Sequence, residues 1–282
     1  MKICLVNDTR SCHSGSAQVM DNIYALFSDH TIVKEAWWKH TNMYDWMVVN
    51  GEGTMHDNAY RAIIILKMMR YAKDHGKKVA LINTVWQNMH HTECSVVSDI
   101  DLITVREIRS YSEIKNLNGN AMVFPDLSFL FPAEHDKGRT PRINPGLING
   151  MKAAKSITHG EAPYKIIFYN IDIPMYSIRR GDKFYNQISD ISMLDVYLTG
   201  QHHGVYAALM AGTPFLATPG NTHKIESLFE WAECNIPICK SSDDIFHHLD
   251  KLEIITKEEN RLSEFVLSKR HEAEIFLRDN VR

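Results

Sequence analysis

The sequence predicts an α/β protein built of two Rossmann-like open-sheet domains that face each other across a cleft. Short apolar strands alternate with amphipathic helices in both halves, which implies parallel pairing through right-handed crossovers. A stretch rich in proline, glycine and charge, PAEHDKGRTPRINP at 132–145, interrupts the pattern and reads as a linker. Polar clusters directly follow strand after strand, the edge at which open α/β sheets bind ligands. The 282 residues, 44% hydrophobic, suffice for two cores of ordinary size. The expected domains are 1–140 and 141–282, the second shortened by about one strand–helix unit and ending in a long C-terminal helix.

Taken in order, Ile3 to Val6 reads as a buried strand, NDTRSCHSGS as a polar loop and Ala17 to Phe27 as a helix. Trp46 to Val49 is the second expected strand, ending in NGEGTMHD; Tyr60 to Lys73 is a helix closed by His75 and Gly76; Lys78 to Ile82 is the third strand. Asp101 to Val105, a helix over 107–116 and Met122 to Phe124 complete the first half. After the linker, the pattern gives a short helix around Leu147 to Lys155 and strands at Lys165 to Tyr169, Leu194 to Thr199, Pro214 to Ala217 and Ile236 to Cys239. Two helices follow. The longer, Lys257 to Asp279, is amphipathic and has two readings, packing across the first domain or forming a homo-oligomer contact.

The balance of 31 basic against 34 acidic residues offers no surplus for a phosphate backbone, so nucleic acid is not expected as a partner. Five cysteines, an odd number without C-x-x-C spacing, read as reduced thiols and predict a cytoplasmic protein. No signal-peptide core opens the chain, and no apolar run reaches the roughly 18 residues of a membrane span. Adjacent histidines such as His90 with His91 lack carboxylates at ligand spacing, so no metal is expected.

The stretch 199–228, TGQHHGVYAALMAGTPFLATPGNTHKIESL, is the densest in chemistry. A strand ends at Thr199, Gly200 turns the chain, and His202 and His203 fall where a helix begins. Unsatisfied N–H groups and the positive end of the helix dipole favour an anion there, and Lys224 is a second anchor. A histidine at such a place is also an ordinary cap, and Lys224 behind Asn221 is also an ordinary first-turn lysine. In the first half, Gly51 and Gly53 flank Glu52 in a turn that lets backbone approach a ligand. Arg106 after the fourth strand suits anion contact, or an ion pair with Glu107. Asp8 and His13 lie in the loop after the first strand; Asn83 and Trp86 follow the third. A dinucleotide motif is not met, since the third glycine is missing.

These pieces resemble the polysaccharide pyruvyl transferase family. The likeness rests on NGEGTMHD, ALINTVWQNM, DLITVREIRS, PDLSFL and LTGQHHGVYAALMAGTPFLATPGNTHKIESL, in that order along about half the chain. It implies two domains similar to those of many B-type glycosyltransferases, with the first on the acceptor side and the second on the donor side. It also implies transfer of a pyruvyl group from phosphoenolpyruvate to two hydroxyls of a saccharide as a cyclic ketal, without a cofactor. His203 stands at the histidine of the family's Arg-x-His signature and is the expected acid/base; Arg106 and Lys224 stand at positions suited to the anion. Glu52 is the candidate base for the acceptor hydroxyl. Where the family carries arginine this chain has Gln201, which is neutral and cannot make a bidentate ion pair. Two alternatives therefore accompany the resemblance: a glycosyltransferase using a nucleotide-activated sugar, and a non-catalytic glycan or anion binder.

Overall fold

A computed structural model describes residues 1–131, 142–156, 171–176 and 183–282. The chain divides into two compact units. Unit 1 comprises 1–9, 20–130 and 269–282; unit 2 comprises 10–19 and 131–268. The boundary expected near residue 140 and the strand expected at Lys165 to Tyr169 lie outside the described residues.

Unit 1 is a six-stranded parallel sheet. Its strands are β1 (Lys2–Val6), β2 (Thr31–Lys34), β3 (Trp46–Glu52), β4 (Lys78–Thr84), β5 (Leu102–Val105) and β6 (Ala121–Val123), in the order β2-β1-β3-β4-β5-β6. β3 is buried along its whole length, and β4 at all but its first residue, because helices cover a parallel sheet on both faces. Helix α1 (Ser14–Leu26) follows β1, α2 (Tyr60–Asp74) follows β3 and α3 (Ile108–Ile114) follows β5. α2 buries Ala62, Ile65, Leu66, Met68, Met69 and Ala72, the i, i+3, i+4, i+7 stripe of its sequence. The order places a topological switch between β1 and β3, whose onward connections leave in opposite directions along the sheet. Ligand crevices of open sheets form at the carboxyl ends of such a strand pair.

The described part of unit 2 holds four strands, β7 (Gly146–Ile148), β8 (Met151–Ser156), β9 (Val196–Thr199) and β10 (Phe215–Ala217), in the order β10-β9-β8-β7. The short helix expected around Leu147 to Lys155 is instead an antiparallel hairpin, β7 pairing with β8. Its two-residue turn is Asn149 (φ 48°) and Gly150 (φ 79°), the Asn-Gly pair whose left-handed backbone matches the twist of a hairpin. Helices α4 (Phe184–Ile191), α5 (His202–Ala211), α6 (Lys224–Trp231) and α7 (Ser242–Leu249) follow, and α8 (Leu252–Asn280) is the long C-terminal helix. The strand expected at Ile236 to Cys239 reduces to one parallel bridge between Ala217 and Ile238. In unit 2, α8 reaches β10 through Glu259, whose Oε1 accepts the Phe215 N–H at 2.9 Å; burial pushes this carboxyl up to about 8. Among the described residues, no helix is long and apolar enough to cross a membrane.

Candidate functional site

In unit 2, the site begins where β9 gives way to α5. Gly200 has no room for a side chain, since a Cβ there would lie 2.7 Å from Thr218 Oγ1. Gln201 is the extended N-cap residue (φ −106°, ψ 128°), and its N–H donates to Thr199 Oγ1 at 3.1 Å. His202 and His203 form the first turn of α5, both buried. Their rings lie 6.0 Å apart, and His202 packs edge-on against Tyr206 at 5.1 Å. The His13 ring lies 4.9 Å from that of His203, tilted by 59°. Three imidazoles thus gather at one helix amino end, where the dipole favours negative charge.

Hydroxyls hold the floor of this region. Tyr197 Oη donates to Ser156 Oγ at 2.5 Å, and Ser156 Oγ shares a hydrogen bond with Thr199 Oγ1 at 3.0 Å. Burial pushes the Tyr197 phenol up to about 12, so it remains protonated. Lys224 opens α6 with its Nζ donating to Asn221 Oδ1 at 3.1 Å. Asn221 therefore partners the lysine, and His223 takes the N-cap position instead. Thr218 and Thr222, on the segment between β10 and α6, bury hydroxyls that have no hydrogen-bond partner among the described residues. Buried hydroxyls in that state are ready donors for an anion.

In unit 1, the carboxyl ends of β1, β3 and β4 carry a second polar cluster. Asn7 (φ 66°), Glu52 (φ 37°) and Asn83 (φ 54°) all adopt left-handed backbone at strand ends, a strained choice for glutamate. The Asn7 Nδ2 donates to the Asn50 carbonyl at 2.7 Å and to Thr54 Oγ1 at 3.1 Å. The buried Glu52 carboxylate accepts from the Thr9 hydroxyl and, at 3.4 Å, from Asn50 Nδ2. Glu52 therefore sits at the switch between β1 and β3, presenting a carboxylate at the end of its strand.

The remaining expected residues fall in different surroundings. Arg106 is 1% exposed and bonds Asp126 Oδ2 at 2.6 Å, while Glu107 caps α3 by accepting the Arg109 N–H at 2.8 Å. The ion pair expected between Arg106 and Glu107 is thus replaced by one with Asp126. Asn83 is also spoken for, its Oδ1 accepting the Leu127 N–H at 3.0 Å. Gly51 is glycine because a Cβ would overlap Thr84 of the neighbouring strand, and Gly53 lies in the following turn. Asp8 is exposed. Trp86 is a core residue of unit 1. Sequence reasoning overlooked Thr218, Thr222 and Gly15; the SGS run at 14–16 was the available hint that backbone comes close to something.

The fold has solved counterparts. It is similar to the glycotransferase of kitacinnamycin, with a TM-score of 0.56 at 9% identity over 100% of this chain and 98% of that one. It is also similar to a functionally uncharacterised protein of Klebsiella pneumoniae subsp. pneumoniae NTUH-K2044, with a TM-score of 0.52 at 15% identity over 84% and 91%. These likenesses define an α/β protein of glycosyltransferase-like fold. The family model for polysaccharide pyruvyl transferase matches residues 17–220, and the chain belongs to that family. No curated protein matches the sequence.

Proposed function

We propose that the protein transfers a pyruvyl group from phosphoenolpyruvate to a saccharide, forming a cyclic ketal and releasing phosphate. The observation that carries this reading is the placement of His203, buried at the amino end of α5 within a family match that spans 17–220. The methylene carbon of the enol accepts a proton and the adjacent carbon becomes oxocarbenium-like. One sugar hydroxyl attacks that carbon, phosphate leaves, and a second hydroxyl closes the ketal. His203 supplies and recovers the proton. Lys224, the amino ends of α5 and α6, and the hydroxyls of Thr218 and Thr222 stabilise the donor's negative charge, with His202 and Gln201 beside them. Glu52 is the base for the acceptor hydroxyl, Asp8 contributes a polar contact, and His13 stands beside the His203 ring. Arg106 serves the fold through Asp126.

Gln201 supports a second reading, a glycosyltransferase taking a nucleotide-activated sugar. The charge-assisted hydrogen bond that an arginine at this position gives an anion is worth about 1.5–3 kcal/mol, and a neutral glutamine does not supply it. Thermal unfolding with phosphoenolpyruvate and with uridine and cytidine nucleotides separates the two, because a ligand at about 100 times its Kd stabilises by about 2.7 kcal/mol. Stabilisation by phosphoenolpyruvate is expected. Stabilisation by a nucleotide alone removes the pyruvyl reading, and glycan binding without product from any donor identifies a binder.

A further inference from the structure

We propose that the start of α1 is a rigid holder for the His203 ring, with Gly15 as its backing and His13 as its neighbouring imidazole. Both are positioning residues, and this rests on the acid/base reading of His203 given above.

Gly15 makes the closest approach. A Cβ built on it would overlap Cγ of the His203 ring and lie 2.6 Å from Cβ and 2.9 Å from Nδ1 of the same residue. Its φ is not left-handed, so conformation does not demand glycine here. Alanine is the better helix former, and the gain that offsets a glycine here is space for the imidazole. The obstructing atoms are the root of the side chain, which cannot swing aside as the tip of a long chain can.

The residues around Gly15 are each tied down. The His13 carbonyl accepts the Ala17 N–H at 2.9 Å, and His13 Nδ1 accepts the Ser16 N–H at 3.2 Å. Its Nε2 lies 3.2 Å from Ser16 Oγ, so the ring is fixed on the helix end that it caps. Ser14 Oγ donates to Gln187 Oε1 of α4 at 2.7 Å, with both side chains buried. The His203 ring thus meets Gly15, the His13 ring at 4.9 Å and the His202 ring at 6.0 Å. An imidazole walled in this way is confined to few rotamers, and an acid whose proton must meet one carbon gains from that confinement.

The test uses the full-length protein carrying ring-labelled histidine, compared as wild type, Gly15→Ala and His13→Gln, with His203→Ala assigning the signals. In ligand-free protein, Gly15→Ala is expected to shift or broaden the His203 ring signals while those of His75 in unit 1 stay in place; His13→Gln is expected to do likewise. Phosphate release from phosphoenolpyruvate with a mixed saccharide panel should fall by about 10- to 100-fold in Gly15→Ala, carried by kcat with KM nearly unchanged. Unmoved His203 signals in His13→Gln and in any folded Gly15→Ala protein overturn the proposal. A set of variants whose signals shift as expected, in a protein that consumes no phosphoenolpyruvate, sinks the donor reading and upholds the placement of the ring.

Discussion

His203 and Arg106 look alike in the sequence, each a titratable residue just after a strand, and the structure separates them. His203 gathers other imidazoles at a helix amino end, whereas Arg106 closes on Asp126 at 2.6 Å inside unit 1. Sequence alone could not make that distinction, because Asp126 lies 20 residues further on and meets Arg106 only through the pairing of β5 with β6. The two residues should therefore fail differently. His203→Ala should keep the fold and abolish phosphate release, since it removes the proton donor. Arg106→Ala leaves a carboxylate buried without its partner, which should cost about 3–5 kcal/mol of stability, visible as a lower denaturant midpoint. An Arg106→Ala protein of wild-type stability that merely binds phosphoenolpyruvate more weakly would return Arg106 to the donor site.

Elements were legible in proportion to their length and periodicity. α2 and β4 lie where the apolar pattern placed them, because a buried stripe or a run buried on both faces writes itself into sequence. β2 escaped notice: Thr31–Lys34 is an edge strand of four residues whose two ends are exposed, so it carries no alternation to read. The hairpin of β7 and β8 was misread because Ala153, Ala154 and the lysines around them are good helix formers, while Asn149-Gly150 is the stronger, local signal. Gly150 at φ 79° should accordingly resist substitution. Gly150→Val is expected to cost about 1–2 kcal/mol in chemical denaturation, where an exposed valine on a regular strand would cost little. Between elements, Glu259 of α8 predicts a pH dependence. Its folded value of about 8 lies above the ordinary 4.5, so the folded state holds a proton that the unfolded state releases between these values. Stability from this group is full below about pH 4.5 and falls as pH rises towards 8; in Glu259→Gln that part of the slope should vanish from thermal unfolding measured across the window. A slope identical in both proteins would mean that the carboxyl is ionised where it meets the Phe215 N–H.

At the scale of the molecule, alternation of strand and helix announced an α/β fold, and the compact units divide the chain where no single cut in the sequence would: residues 10–19 belong to unit 2 although β1 belongs to unit 1. His13 and Gly15 lie in that segment, which is why their tie to His203 was hidden while the polar character of the loop was plain. The same limit applies to the donor. Family membership places the protein among transferases and leaves the donor to chemistry. The most direct test is phosphate release from phosphoenolpyruvate in the presence of a saccharide panel, with the acceptors examined by mass spectrometry for wild type and His203→Ala. The account predicts phosphate release matched by a pyruvyl ketal on one acceptor, both absent in His203→Ala. Saccharides modified only when a nucleotide sugar is supplied, or ketal formation that survives the loss of His203, would contradict it.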